Sequence, residues 1–370
     1  MGGVTFFCSG RPRELHCVNE LPLKSYTPNE LQALLAPLTL RLKFILLMPL
    51  DHFIPQVHLK KFSFSDPPER INAIRKRDMF AFKPRAKDIC RIDQGNTNRY
   101  LKEPRFIEAF LKSIEPNYTR AVEGLRTDKI TPDCIFVIAG FVAYVTACSP
   151  TAMRLECTPL SSVLNEVTRF LDAAGRFPPP PLSIGGLSMT DLLEGGMVNI
   201  EVDRKFPQAM GIRAIYDLLF LMGNFDWDVM ENRFHAESPF FTSDFPIGIV
   251  PSAELPTLDK IIPLSPDLAV RLRPNKQSLI RKVRNDFAGF RYRRVHLNHD
   301  EVTQINELIA RCAETEVYFK KDKHDVSEVI RSNAGFRIET SVKSLRFGKG
   351  VVQHSTQIVT DKWQKAEPEK

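Results

Sequence analysis

An uncharged, mostly apolar run at residues 135–147 constrains the fold of this chain more than any other feature. A helix needs about 20 apolar residues to cross a bilayer, so this run is too short to span one. We predict that it forms a helix buried in a protein core. The other apolar run, residues 31–50, is interrupted by Arg41 and Lys43, which are costly inside a membrane. The sequence therefore predicts no membrane segment.

Composition narrows the class further. Hydrophobic residues make up 43% of the chain and charged residues 26%, which is ordinary for globular proteins and excludes disorder along most of the chain. The seven cysteines are an odd number and form no CxxC pair, so they are expected to be free thiols in a reducing compartment. We expect a cytoplasmic protein.

Helical periodicity prevails up to Gly223, and short strand candidates follow. Phe106, Phe110 and Ile114 recur at helical spacing before Pro116, whereas residues 268–273 are typical of a strand. Residues 300–313 predict a further helix with Asn298 as its cap. We therefore predict an α+β fold in one large compact domain, with a helical N-terminal half and a strand-rich, mostly antiparallel C-terminal half.

Three parts are expected along the chain. Residues 1–47 are poorly patterned and are interpreted as an extension, with Met48 as an alternative true start. Residues 48–322 form the predicted α+β domain. It includes a helix at 159–174 with Thr158 as its cap, followed by a Pro/Gly-rich loop near 175–190. Residues 323–370 are expected to be a charged C-terminal extension.

Positive charge is concentrated in one stretch. Residues 271–294 contain nine Arg and Lys against a single acid, Asp286, while the whole chain has a net charge of +7. Such a stretch indicates a phosphate-bearing or acidic partner, although a solvated loop and strand face would have the same composition. The candidate nucleic-acid contacts are Arg281, Lys282, Arg284, Arg291, Arg293 and Arg294.

Three short segments carry candidate site residues. His52 lies in the turn before a helix predicted to begin at Pro55, where its ring can face a cleft or pack beneath a loop. Glu108 and Glu115 are seven residues apart and so project from one helix face, either as partnered carboxylates or as solvated acids. Ser243 and Asp244 end an apolar segment, as a simple turn or as a site at the mouth of a sheet.

Four sequence blocks carry a family resemblance in matching order and spacing. They are His52-x-x-Pro55-x-x-x-Leu59-x-x-Phe62; Ile107-Glu108 with Ile114-Glu115; Phe241-Thr242-Ser243-Asp244-x-Pro246 followed by Ile262-Pro263-Leu264-Ser265-Pro266; and Ile305-Asn306-x-x-Ile309-Ala310 with Val317-Tyr318. Together they resemble the bacterial domain-of-unknown-function family 4238 over roughly residues 48–320. The family usually has an Arg-Ser/Thr-Pro motif where this chain has Cys148-Ser149-Pro150, and this difference puts the activity of this member in question.

The resemblance implies that His52, Glu115, Ser243 and Asp244 either share a pocket or form a buried polar network. In the first case we expect a metal-assisted hydrolase, of which a nuclease is one form. His52, Glu115, Ser243 and Asp244 would be catalytic, and Glu115 and Asp244 would hold Mg²⁺ or Mn²⁺. In the second case we expect a non-enzymatic module that binds nucleic acid or protein. Whether His52, Glu115 and Asp244 meet in one open cleft distinguishes the two.

Overall fold

The computed structural model describes residues 5–8, 50–65, 69–253, 255–276, 284–321, 324–347 and 350–361. The helices are α1 Gln56–Leu59, α2 Phe106–Ile114, α3 Tyr118–Arg126, α4 Pro132–Cys148, α5 Pro150–Ala173, α6 Met189–Glu194, α7 Lys205–Arg213, α8 Ile215–Gly223, α9 His299–Cys312 and α10 His324–Asn333. The strands are β1 Thr5–Cys8, β2 Leu50–His52, β3 Asn72–Arg75, β4 Phe80–Phe82, β5 Arg91–Asp93, β6 Val198–Glu201, β7 Asp226–Glu231, β8 Thr242–Ser243, β9 Gly248–Pro251, β10 Leu258–Ser265, β11 Leu268–Arg273, β12 Arg291–His296, β13 Glu316–Phe319, β14 Phe336–Phe347 and β15 Gly350–Asp361.

Two larger sheets organise the chain. The five-stranded sheet has the order β12-β7-β11-β10-β9 and is antiparallel except for the parallel pair β12 and β7. The four-stranded sheet has the order β4-β3-β13-β8 and is antiparallel throughout. Three two-stranded pairs complete the described strands: β1 with β6, β2 with β5, and β14 with β15.

The predicted division into a helical half and a strand-rich half is wrong. Helices and strands are interleaved, with helices concentrated in the middle of the chain and strands at both ends. The four-stranded sheet shows why, because the early hairpin β3–β4 joins the late strands β13 and β8 through the pairing of β3 with β13. Strands of two to four residues carry little periodicity, so their partners are set by long-range packing rather than by a local pattern.

Helix α4 is the central element of the core, as its sequence predicted. Most of its residues are buried, including Phe141 and Tyr144. Gly140 lets two neighbours approach closely, since a Cβ there would lie 2.9 Å from Cγ2 of Ile114 and 3.1 Å from Cδ1 of Leu219. Helix α2, which ends at Ile114, is thereby packed against α4, and this contact fixes the carboxylates on α2 relative to the core.

Helix α5 begins earlier than predicted. Its N-cap is Ser149, whose hydroxyl accepts a hydrogen bond from the amide of Ala152, and Pro159 lies inside the helix rather than at its start. A cap at Ser149 and a proline at the first helical position are strong start signals. Within the described residues no single helix is long and apolar enough to cross a membrane, while α4 and α5 pass that test only as a pair bent by 56°.

The two ends of the chain are partly described. Strand β1 pairs with β6, whereas Met48 and the rest of the predicted N-terminal extension lie outside the described residues. The predicted C-terminal extension includes α10 and the long hairpin β14–β15. Arg154 on α5 joins this hairpin to the body of the protein, with ion pairs of 2.7 Å to Glu314 and 2.6 Å to Glu339.

Candidate functional site

An open cleft of about 510 Å³ lies between β2, α1 and α2. Its lining is mainly polar and includes His52, Gln56, Lys60, Asn96, Glu108 and Glu115. The prediction that Glu108 and Glu115 project from one face of their helix is confirmed, because both line this cleft. His52 and Glu115, which are 63 positions apart in the sequence, are therefore brought to the same water-accessible space.

The floor of the cleft is held by a buried carboxylate. Asp51 accepts hydrogen bonds from the amide of Asn96 at 2.9 Å and from Nη1 of Arg105 at 3.0 Å. The hydroxyl of Tyr144, reaching from α4, donates to the carbonyl of His52 at 2.9 Å and lies 3.1 Å from Oδ1 of Asn96. These contacts hold the backbone at Asp51 and His52 in place, and they thereby position the His52 ring.

A second set of contacts supports the turn that carries Asn96. Lys205 donates to the carbonyls of Gln94 at 2.8 Å and Gly95 at 3.0 Å, and Gln208 donates to the carbonyl of Gly95 at 2.9 Å. Burial lowers the pKa of Lys205. Because these donors occupy the carbonyls of the turn, the Asn96 amide group keeps its position at the cleft.

The two glutamates of the cleft differ in their partners. Glu108 accepts a hydrogen bond of 2.6 Å from Nδ2 of Asn96 and lies 3.5 Å from Arg105. Glu115 is half-buried at the end of α2, and no donor in the described part of the chain lies within hydrogen-bonding distance of its carboxylate. Burial, together with the nearby charge of Glu108, raises the pKa of Glu115. Glu115 is therefore protonated at a higher pH than an ordinary glutamate.

His52 is half-buried and remains neutral at a lower pH than an ordinary histidine. Its Nε2 atom lies 3.2 Å from the carbonyl of Lys87. Burial lowers its pKa, and the Arg91 guanidinium on the paired strand β5 lowers it further. The cleft thus combines an imidazole whose pKa is lowered with a carboxyl group whose pKa is raised, and both groups are candidates for acid–base catalysis.

Asp244 and Ser243 do not join this cleft. Asp244 is buried and accepts hydrogen bonds from the amides of Glu314 at 2.9 Å, Thr315 at 2.8 Å and Glu316 at 3.2 Å, and from the Thr315 hydroxyl at 2.5 Å. Burial raises the pKa of Asp244 to about 6, although the Thr315 donors oppose the shift. Ser243 is also buried, and its hydroxyl accepts from the amide of Phe245. The expected convergence of His52, Glu115 and Asp244 is not observed.

A second histidine, His58, lies on α1 and contacts Thr242 in the interior. Its Nδ1 atom is 2.8 Å from the hydroxyl of Tyr118, and its Nε2 atom is 2.8 Å from the hydroxyl of Thr242. Complete burial lowers its pKa to about 3. His58 with Tyr118 and Thr242 forms one hydrogen-bonded cluster, and Asp244 with Thr315 forms another. We call the two clusters together the buried network. His58 lies within α1, six residues after His52, and this spacing was the available sequence signal for it.

The expected metal ligands are not assembled. Glu115 lines the cleft, whereas Asp244 belongs to the buried network. Among the described residues there is no group of three or more His, Cys, Asp or Glu side chains that fits a metal ion. The donor sets that Mg²⁺ and Mn²⁺ prefer in proteins are therefore not found at the predicted positions.

The basic stretch is largely neutralised by neighbouring carboxylates. Arg284 pairs with Asp286 at 2.8 Å, whereas the three arginines of β12 pair with acids on other elements. Those pairs are Arg291 with Asp226 at 2.8 Å, Arg293 with Asp228 at 2.7 Å, and Arg294 with Asp128 at 3.1 Å and with Glu231. Arg281 and Lys282 lie outside the described residues. The local charge excess seen in the sequence is therefore offset by strand β7.

Cys148 ends α4 in the interior, where the family resemblance implied an arginine. Its side chain is buried, and burial raises the pKa of its thiol far above the ordinary range. Its carbonyl lies 3.4 Å from Nε2 of Gln208, which also supports the Asn96 turn. Cys148 is thus behind the cleft rather than on its surface.

Comparisons with known proteins give one match. No curated protein and no solved structure matches the chain. The family profile described as protein of unknown function (DUF4238) matches residues 51–323, which include the polar residues of the cleft and all of the buried network. The resemblance inferred from the four sequence blocks is therefore confirmed, and the chain belongs to the DUF4238 family.

Proposed function

We propose that the cleft is the active site of a hydrolase in which Glu115 is the general acid and His52 is the general base. The observation that carries this proposal is that both groups face one open cleft while their pKa values are shifted toward each other. Titratable groups with perturbed pKa values that share an open cleft are characteristic of functional sites.

The proposed reaction uses one protonation state of each group. The neutral form of His52 removes a proton from an attacking water, and the protonated form of Glu115 gives its proton to the leaving group as the bond between that group and the rest of the substrate breaks. Asn96 and Lys60 offer an amide and an ammonium group to developing negative charge. Asp51, Tyr144 and Lys205 touch none of the reacting atoms in this scheme and act by positioning His52 and Asn96.

A phosphodiester is the substrate class that we propose, which makes the enzyme nuclease-like. The scheme uses no metal ion, because Glu115 and Asp244 are apart and the described residues offer no ligand group. We also propose a cytoplasmic location. Four of the described cysteines are buried, and no disulfide joins any of the described cysteines, which is compatible with a reducing compartment.

A binding module without catalysis is the second candidate. It is favoured by Asp244, whose oxygens are taken up by the backbone of residues 314–316, and by the pairing of the β12 arginines. In that case the cleft would hold a polar ligand and leave it unchanged.

The test is hydrolysis of bis(p-nitrophenyl) phosphate by the full chain, with Mg²⁺, with Mn²⁺ and with a chelator. We expect turnover in all three conditions and a loss of about 100-fold or more in kcat for His52→Ala and Glu115→Gln. The matched control is Glu103→Gln, which removes an exposed carboxylate outside the cleft and should retain full activity. Activity that requires added metal would contradict the metal-free scheme, and equal activity in all variants would contradict the roles of His52 and Glu115. No turnover in any condition would favour the binding module.

A further inference from the structure

A second basic surface, which the sequence did not predict, lies on the β3–β4 hairpin and the segments beside it. Residues 69–88 contain seven Lys and Arg against three acids. Lys76 is buried and donates to the carbonyls of Ala313 at 2.7 Å and Phe336 at 2.8 Å, so it contributes little to the surface. The other six cations reach solvent: Arg70, Arg75, Arg77, Lys83, Arg85 and Lys87. We call these residues, with Phe64 and Phe80, the hairpin surface.

Its charge is less compensated than that of residues 284–294. Arg75 and Arg77 both pair with Asp78, at 3.2 Å and 3.5 Å, and Arg75 also lies 4.0 Å from Glu316. Lys83 and Lys87 are exposed, and neither forms an ion pair with another described residue. The hairpin surface therefore keeps an excess of positive charge, which attracts a polyanion.

Exposed aromatic rings lie among these cations. The side chain of Phe80 is 55% exposed and that of Phe64 is 41% exposed. The Phe80 ring stacks on Phe82 with centroids 5.9 Å apart, and the Arg75 guanidinium lies 5.4 Å from its centroid. The Nζ atom of Lys83 lies 5.9 Å from the centroid of Phe64. A phenyl ring held beside a cation and open to water provides a stacking platform for a nucleic-acid base.

The hairpin surface is adjacent to the cleft and is open along one side. Strand β4 is at the edge of the four-stranded sheet, so no described strand covers it. The carbonyl of Lys87 contacts His52, and Arg91 is the strand partner of His52. A bound polyanion that runs along β4 toward β5 therefore reaches the rim of the cleft.

We propose that the hairpin surface binds single-stranded nucleic acid, with phosphates on Lys83 and Lys87 and bases stacked on Phe80 and Phe64. The exposed rings favour nucleic acid over an acidic peptide, because charge alone would attract either polyanion while stacking rewards only the bases. The paired arginines of β12 take no part. This binding goes beyond the proposed hydrolysis and does not depend on it.

The experiment is fluorescence anisotropy of the full chain with labelled oligothymidylate and oligouridylate of about 20 nucleotides at low salt. The test variant is Lys83→Ala with Lys87→Ala, and the matched control is Arg284→Ala with Arg291→Ala, which removes the same charge from residues 284–294. We expect binding about 10-fold weaker for the test variant. We also expect the slope of log K against log salt to fall by about 1.4, since each lost phosphate contact removes about 0.7. The control should bind like the native chain.

Two further variants separate the explanations. Phe80→Leu keeps an apolar side chain without the ring and should weaken oligonucleotide binding about 5-fold or more while leaving competition by polyglutamate unchanged. Glu115→Gln should bind normally even if it abolishes turnover, so failure of the hydrolase proposal remains distinguishable. The inference is overturned if the native chain does not bind, if the arginine control weakens binding as much as the lysine pair, or if Phe80→Leu has no effect. Preferential binding to polyglutamate or to anionic vesicles would overturn it as well.

Discussion

His52 and His58 are six residues apart and lie in two regions that differ in their access to water. The His52 ring lines an open cleft with Glu108 and Glu115, whereas His58 is fully buried between the hydroxyls of Tyr118 and Thr242. Both rings have a lowered pKa through burial, but only His58 has a polar partner in the described chain for each ring nitrogen. A shifted pKa therefore identifies a candidate catalytic group only when the group can also reach a substrate.

The carboxylates show the same contrast. Glu115 in the cleft accepts no hydrogen bond within the described chain, while Asp244 in the buried network accepts four. Burial raises the pKa of both. A carboxylate whose oxygens are fully used by the backbone stabilises the fold, and one without partners is free to exchange a proton with a ligand. Substitutions in the buried network should therefore change stability more than substitutions of His52 and Glu115 in the cleft.

Asp244→Ala is expected to cause the largest loss of stability. Three backbone amides and the Thr315 hydroxyl lose their acceptor in a buried site, which should lower the free energy of unfolding by about 4 kcal/mol. Urea unfolding measures this loss, with the exposed carboxylate variant Asp93→Ala as the control. A loss below about 1 kcal/mol would show that Asp244 is not a structural acceptor and would reopen its assignment to a site.

The buried network should also give two pH effects of opposite sign. The folded pKa of Asp244, about 6, is above its ordinary value of 3.8, so this group adds stability as the pH falls from 6 to 3.8. The folded pKa of His58, about 3, is below its ordinary value of 6.5, so this group removes stability as the pH falls below 6.5. Each slope is about 1.4 kcal/mol per pH unit.

Variants of the two residues should therefore diverge on acidification. Relative to the native chain, Asp244→Asn should become progressively less stable between pH 6 and pH 4, and His58→Gln should become progressively more stable over the same interval. Free energies of unfolding at several pH values measure both trends. Parallel curves for the native chain and both variants would contradict the burial of these two groups.

Local signals predicted the elements whose sequences specify them. The burial of α4 followed from an uncharged run, the strand Leu268–Arg273 was predicted with its observed bounds, and Asn298 caps α9 through a capping box with Glu301. The shared face of Glu108 and Glu115 followed from their spacing along one helix. Each of these features depends on residues within a few turns of one another.

The remaining features depend on partners distant in the chain. The backbone amides that donate hydrogen bonds to Asp244 lie some 70 positions further along the chain. The β12 arginines Arg291 and Arg293 are neutralised by Asp226 and Asp228 on β7. A single sequence shows the charge of residues 271–294 but not the strand that pairs with them. The hairpin surface was missed for a related reason, since its cations are interspersed with acids and apolar residues and form no continuous run.

His52→Ala should affect stability much less than either change in the buried network. The ring is half-buried and makes one long polar contact, 3.2 Å to the carbonyl of Lys87, so we expect a loss of about 1 kcal/mol or less. Thermal melts with His58→Ala measured in parallel provide the comparison, and His58→Ala should cost about 3 kcal/mol because it leaves two hydroxyls and a cavity. Equal losses of stability for the two histidine variants would show that His52 stabilises the fold as His58 does, and would weaken the hydrolase proposal.

Glu115→Gln should have the smallest effect on stability, and its sign is informative. The raised pKa means that the folded chain disfavours the charged carboxylate, so stability from this group is present at low pH and is lost as the pH rises through the folded pKa. A glutamine removes that loss, and the variant should be as stable as the native chain at acidic pH and slightly more stable at neutral pH. Unfolding midpoints at both pH values measure the difference. A clear destabilisation at neutral pH would mean that the Glu115 carboxylate has a stabilising partner, and its availability as a proton donor to a ligand in the cleft would be refuted.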